Sequence, residues 1–348
     1  MTESATRSLC WQFDAYGPAG KALVRREQRL PAPGPGQALV RLHAIGMNRS
    51  EFNYVRGRYL PAREFPSGLG QEAVGEIVAL GPPPPADAIQ PWRASTLSVG
   101  ARVALLPGRV DMCTMGAYRD VGVYDQAALL PVPEDYSNAE GAGLWMGVLT
   151  MAGAMELAGI TPRTAPGRRV LFTAAGSGMG VIALKLARAW GATTLATSRS
   201  EARVQKLAEL ADHACVATDS KSLAAGVARV TGGAGFDAAL DPVGEAFYPG
   251  LIESAAPGAS IVSYEMITGG EPVLPIARLM INDLSLRGFT IWRPLRNPAL
   301  LDAVLRWGLE YASVIRPIIA GTRSLADAPA ALEELGRSEH FGKLVLVP

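Results

Sequence analysis

A chain of 348 residues exceeds the size at which one hydrophobic core usually stops growing, so two domains are expected. Hydrophobic residues at 49% and charged residues at 19% supply full cores and exclude a disordered or coiled-coil protein. Lys plus Arg number 33 against 32 for Asp plus Glu, and a formal charge of +1 leaves no broad basic face for nucleic acid or anionic lipid, favouring small, uncharged partners.

The amino terminus MTESATRSLC carries Glu3 and Arg7 and no apolar h-region, so it does not read as a secretory signal. Cys10, Cys113 and Cys215 lie far apart with no paired spacing, which suggests neither a disulfide framework nor a thiolate metal cage and fits a reducing cytoplasm. QALVRLHAIG, EAVGEIVALG and ARVALL read as short strands between Gly and Pro clusters, the pattern of a β-rich domain. GPPPPADAIQPWRAS is expected to be an exposed loop, because consecutive prolines give a sheet no backbone donors.

From about Asn138 helices and strands alternate. AEGAGLWMGVLTMAGAMEL reads as a helix, RRVLFTA as a buried strand, GVIALKLARAWG as a helix and TTLATS as a strand. ARVQKLAELA, HACVA, SLAAGVARVTG, FDAALDPVG, GASIVSYE and LSLRGFTIW continue the series, which calls for βαβ units and a doubly wound parallel sheet. MGVIALKLARAW is interrupted by Lys185 and Arg188 and is too short to span a bilayer, so no membrane role is expected. PALLDAVLRWGLEYA reads as a helix, and a terminal strand ending KLVLVP is placed to return to the first domain.

The strand RRVLFTA runs into Ala175-Gly176-Ser177-Gly178-Met179-Gly180 and then into a helix. Small residues let such a turn approach a pyrophosphate, while unpaired N–H groups and the helix dipole stabilise its charge. The second strand ends in Thr197-Ser198-Arg199-Ser200, without the carboxylate that an NAD site places there for the adenosine ribose. Ser198 can donate to a 2′-phosphate and Arg199 can pair with it, which favours NADPH; the alternative is that Arg199 is a solvated loop charge.

AIGMNRSEFNYVRGRY, FPSGLGQEAVGEIVALG, GAYRDVGVY, GLWMGVLTMAGAM, VLFTAAGSGMGVIALKLARAWGA, TSRSEARV, Asp241-Pro242-Val243-Gly244 and Phe341-Gly342-Lys343 follow one another in an order that resembles the quinone oxidoreductase branch of the medium-chain dehydrogenase/reductase family. The resemblance covers nearly the whole chain. It implies a GroES-like β-rich catalytic domain plus a Rossmann domain, divided as 1–131, 132–292 and a return over 293–348. Zinc-bearing relatives place a cysteine near Met47 or Asn48, a histidine at Gln71 and a cysteine or acid near Met146, and the residues present cannot build such a site between them. His43, His213 and His340 sit on unrelated elements and are read as packing or surface residues.

By the same resemblance Asn48 and Thr150 are expected at the nicotinamide and ribose end of NADPH. Ser177, Gly178 and Met179 would line the pyrophosphate, and Ser198, Arg199 and Thr218 would hold the adenosine phosphate. Tyr264 is counted with these cofactor contacts, and Lys343 is expected to close over the cofactor. Without a Lewis acid, reduction of an already polarised enone or of a quinone is favoured over alcohol oxidation. Asn48, Tyr54 and Tyr59 are the catalytic candidates, with Asn53, Tyr118 and Tyr264 also placed to donate a proton and solvent as the alternative. Trp145 and Met146 are expected where a zinc ligand would have been. LSLRGFTIW is expected to pair with its copy across a twofold axis, giving a homodimer. A cofactor-binding protein without turnover, and a biosynthetic reductase or cyclase, remain the other readings.

Overall fold

The computed structural model describes residues 6–84, 92 and 97–348, so the expected proline-rich loop falls largely outside the described residues. The chain divides into two compact units, Met1–Met146 with Ile318–Pro348, and Gly147–Pro317.

The first unit opens with β1 (Thr6–Phe13) and β2 (Leu23–Leu30), an antiparallel pair. β3 (Gln37–Gly46), β4 (Glu72–Leu80), β5 (Arg102–Leu105), β6 (Val121–Asp125) and β7 (Leu129–Pro131) follow. β3 turns Ala38, Val40, Leu42 and Ala44 inward at every second position, as a strand with one buried face must. Ala38, Val40 and Leu42 join Phe13, Tyr54 and Ile77 in one apolar core.

The second unit carries β8 (Arg169–Phe172), β9 (Thr193–Ser198), β10 (His213–Val216), β11 (Phe236–Asp241), β12 (Ala255–Ser263) and β13 (Ser285–Gly288). All pair in parallel, in the order β10-β9-β8-β11-β12-β13. Val170, Leu171 and Phe172 of β8 are buried in succession, as expected of a strand covered on both faces. The order reverses between β8 and β11, and a ligand crevice in such a sheet lies at the carboxyl ends of the strands at this switch point. The helix Ser220–Thr231 shows how local chemistry sets an element: Asp219 accepts the Ser222 N–H at 2.8 Å at its start, and Gly232 ends it at φ 61.

β14 (Ile319–Ser324) and β15 (Lys343–Val347) close the chain. β15 pairs antiparallel with β3 through Leu346↔Ile45, so the terminal strand does return to the first unit. The larger sheet there runs β14-β15-β3-β4-β5-β7, with β6 on the first half of β3.

Three expectations are corrected. The boundaries 1–131, 132–292 and 293–348 give way to Met146/Gly147 and Pro317/Ile318. The reason is packing: the helix Asn138–Ala142 lies on β3, β4 and β5, and the helix Ala312–Ile315 lies on the helix Gly178–Ala189. The expected single helix over 139–157 is two, Asn138–Ala142 and Trp145–Leu157. LSLRGFTIW is a strand only over Ser285–Gly288, after which Trp292–Leu295 is helical.

Candidate active site

In the second unit the turn after β8 is built from small residues under tight constraint. Ala174 adopts φ 47, a left-handed conformation that costs a non-glycine residue roughly 1–2 kcal/mol and must be held by its surroundings. Ala175 donates its N–H to Thr197 O at 2.9 Å, tying the turn to the end of β9. Ser177 caps the helix Gly178–Ala189, its hydroxyl accepting the Gly180 N–H at 3.1 Å. A Cβ on Gly180 would stand 2.4 Å from Ala175 O, so only glycine lets the helix start this close to the turn. The N–H groups of Gly178 and Met179 open the helix, where no preceding carbonyl can accept them, and can reach a phosphate.

Ser198 is buried at the carboxyl end of β9 and Arg199 is exposed just beyond it. Arg199 makes no hydrogen bond or ion pair with any described residue. Ala217 donates to Ser198 O at 2.9 Å, which brings the exposed Thr218 to the same edge of the sheet. Thr218 N–H donates to Ser222 Oγ at 3.0 Å. Tyr264 leaves β12 at this end as well, its N–H on Asp241 O at 3.1 Å. Desolvation, with the Glu265 and Asp241 carboxylates adding, holds the Tyr264 hydroxyl well above the usual tyrosine range. Thr150 is buried on the helix Trp145–Leu157.

At the switch point itself lies a carboxyl that composition and spacing gave no reason to single out. Asp241 ends β11, is fully buried, accepts the Thr173 hydroxyl on Oδ1 and accepts the Gly244 N–H on Oδ2 at 2.7 Å. Burial pushes it up to about 6, while the hydrogen bonds from Thr173, Gly244 and Val243 pull the other way.

In the first unit, Asn48 heads a buried polar cluster. It precedes the helix Arg49–Val55, and its backbone N–H donates to Glu51 Oε2 at 2.8 Å, the reciprocal half of a capping box. The Asn48 Nδ2 donates to Gly46 O at 3.3 Å and to Glu72 Oε1 at 3.1 Å. Its Oδ1 accepts from Lys343 Nζ at 2.7 Å, and Lys343 also forms an ion pair with Glu72. The second Glu72 oxygen accepts the Met146 N–H at 2.9 Å. Glu51 receives the Gln71 N–H at 3.1 Å and the Tyr118 hydroxyl at 3.0 Å. Its burial is complete, and desolvation pushes it up to about 7 against the hydrogen bonds and the nearby Lys343. A Cβ on Gly46 would stand 2.7 Å from Glu72 Oε1 and 2.1 Å from Ala142 O, which leaves no room there for any other residue.

The structure thus brings Asn48 and Lys343 together, and separately gathers the glycine turn with Ser198, Arg199 and Thr218. Lys343, expected to close over the cofactor, is buried, with its ammonium held by Glu72 and Asn48. Tyr54 is not gathered with Asn48's partners. It sits in the core edge-on to Phe13, its hydroxyl 2.7 Å from Ser67 Oγ, and Tyr59 is 41% exposed beyond the helix. Glu51, Glu72 and Thr173 were not read from sequence. Glu51 carried a signal, the three-residue spacing from Asn48 that marks a capping box; Glu72 and Thr173 carried none.

Met47 and Met146 are buried apolar side chains, and Gln71 offers an amide whose nearest partner is Ser50 at 3.4 Å. Among the described residues no group of three or more His, Cys, Asp or Glu could hold a metal ion.

A β-rich unit preceding a parallel sheet with a glycine turn defines a GroES-like plus Rossmann dehydrogenase or reductase. Residues 34–137 match the alcohol dehydrogenase GroES-like domain and residues 178–306 the zinc-binding dehydrogenase model. A 2-haloacrylate reductase of Burkholderia sp is 28% identical over 339 residues, 93% of this chain and 95% of that protein. A quinone oxidoreductase of Pseudomonas aeruginosa is 28% identical over 345 residues, 97% of this chain and 98% of that one. A mycobacterial protein, Rv1454c, solved in complex with NADPH, superimposes with a TM-score of 0.82 at 25% identity, covering 98% of this chain and 100% of that chain. The chain belongs to the medium-chain dehydrogenase/reductase family, in its zinc-independent quinone oxidoreductase branch.

Proposed function

We propose that the chain is an NADPH-dependent oxidoreductase that reduces the C=C of an enone or enoyl compound, or a quinone, without a metal. The observation that carries the cofactor choice is Arg199, exposed and unpartnered among the described residues beside the buried Ser198, at a strand end without a carboxylate. The named activities of the relatives, reduction of a haloacrylate and of quinones, and the NADPH bound to the mycobacterial neighbour support it.

When bound, NADPH supplies a hydride to the β-carbon of the conjugated system or to the quinone, and a proton from water completes the two-electron reduction as NADP+ is left behind. The N–H groups of Gly178 and Met179 hold the pyrophosphate, and Ser177 keeps the helix start in place for them. Ser198 and Arg199 bind the 2′-phosphate, with Thr218 at its margin. Thr150 contacts the nicotinamide ribose. Asn48 is kept as the proposed nicotinamide contact, and its carboxamide is fixed in orientation by Lys343 and Glu72. Tyr264 borders the cofactor from the β12 exit. Tyr54 is not proposed as proton donor, because its hydroxyl is committed to Ser67; Tyr59 keeps that candidacy on exposure alone.

The working form proposed is a cytoplasmic homodimer. β13 is one edge of its sheet, and Val273, Ile276, Met280 and Ile281 are exposed in the segment before it, which suits a second copy. The three cysteines are free and buried, which fits a reducing compartment. No helix among the described residues is long and apolar enough to cross a membrane.

Titration of NADPH and NADH into the wild type and Arg199→Ala, with turnover on menadione-like quinones, alkenals and enoyl thioesters, tests the reading. Arg199→Ala weakens NADPH by about tenfold or more while leaving NADH nearly unchanged. Equal losses for both cofactors overturn the phosphate assignment, and no oxidation of NADPH by any of the three substrate classes overturns the activity.

A further inference from the structure

Asp241-Pro242-Val243-Gly244 is a motif that the binding of cofactor, as described, does not use. Its surroundings give it a part. Leu240 pairs with Phe172 across β11 and β8, so the residues that follow, Asp241 and Thr173, meet where the sheet order reverses. Both are buried, Asp241 completely, and the Thr173 hydroxyl donates to Oδ1. Thr173 is the residue before Ala174, whose left-handed backbone starts the glycine turn.

The other side of the motif faces a second loop. Gly244 N–H closes onto Asp241 Oδ2 at 2.7 Å. The backbone carbonyls of Asp241, Pro242 and Val243 accept the N–H groups of Tyr264, Ile267 and Thr268 at 3.1, 2.9 and 3.0 Å, and the Thr268 hydroxyl reaches Val243 O at 2.8 Å. One carboxylate therefore binds the start of the glycine turn through a side chain, while its own turn is laced to the segment leaving β12.

We infer that Asp241 is a positioning residue for the dinucleotide: through Thr173 and Gly244 it locks the glycine turn and the 264–268 segment to each other, so that the Gly178 and Met179 N–H groups and Tyr264 stand ready before cofactor arrives. Asp241 does not touch the reacting atoms. Its buried oxygens receive hydrogen bonds whose loss would free Ala174 to relax toward the right-handed region, and a turn that must re-form on binding lowers affinity for the cofactor. The inference rests on the dinucleotide reading of the glycine turn.

The test measures NADPH binding by fluorescence and steady-state turnover for the wild type, Thr173→Val, Thr173→Ser and Asp241→Asn. Thr173→Val keeps the shape and removes the donor; Thr173→Ser restores it. Asp241→Asn presents one acceptor where Thr173 and Gly244 need two. Thr173→Val and Asp241→Asn weaken NADPH by about tenfold, Thr173→Ser binds as the wild type does, and kcat at saturating cofactor stays within about threefold throughout. Wild-type affinity in Thr173→Val, or an equal loss in Thr173→Val and Thr173→Ser, overturns the positioning role. Should Asp241→Asn fail to fold, the two Thr173 variants decide alone. A wild type that binds no NADPH overturns the dinucleotide reading itself, an outcome distinct from a wild type that binds and a Thr173→Val that binds equally.

Discussion

Three acidic side chains, Glu51, Glu72 and Asp241, are buried almost completely, and they are kept there in two ways. Glu72 has a cation in Lys343, whereas Asp241 and Glu51 have hydrogen-bond donors together with a proton affinity raised by burial, to about 6 and about 7. The raised affinity of Glu51 has a consequence for stability. Because the folded protein binds that proton more tightly than the unfolded chain does, folding takes up protons between the ordinary glutamate value and about pH 7, and stability falls as pH rises through that window. Glu51→Gln removes the linkage. Denaturant unfolding between pH 5 and pH 8 should show the wild type losing up to about 3 kcal/mol more than Glu51→Gln over this range. Parallel curves for the two proteins would contradict the raised affinity. Asp241, pushed up to about 6, adds a slope of the same sign that both proteins share.

Elements meet at these sites because small residues let them. The helix Gly178–Ala189 can begin against Ala175 only while position 180 lacks a side chain, since a Cβ would lie 2.4 Å from a backbone oxygen that cannot move without the strand behind it. Gly180→Val should destabilise the protein by about 1–3 kcal/mol and displace the helix start from the turn, with a lowered thermal midpoint and loss of NADPH quenching as the readouts. A variant that melts and binds like the wild type would refute this packing. Gly46 has the same standing in the first unit, where β3 approaches Ala142 and Glu72.

At the scale of the molecule, the β13 edge of the six-stranded sheet is the feature most in need of a partner. Among the described residues β13 has a neighbour on one side only, and four large apolar side chains lie exposed in the segment before it. An uncovered edge of this kind invites pairing. Sedimentation at micromolar concentration should give a species of about twice the 36.6 kDa chain, as an isologous pair requires. A single 36.6 kDa species would leave the edge to another cover and remove the dimer.

The order of strands and helices, the glycine turn and the uncharged end of β9 were legible in the sequence, because they rest on local periodicity and on residue types whose backbone or charge behaviour needs no distant neighbour. Loss of the zinc ligands was legible for the same reason: a side chain's donor chemistry is fixed by its identity. Domain boundaries were misplaced because the helices Asn138–Ala142 and Ala312–Ile315 join whichever core buries their apolar faces, and pattern alone does not name that core. Tertiary structure alone decided the two polar clusters. Lys343 and Glu72 are 271 residues apart and Thr173 and Asp241 are 68 apart. Only strand pairing brings such residues within bonding distance, and only burial makes each pairing obligatory, because a charge or hydroxyl removed from water must find its partner wherever the chain has carried it.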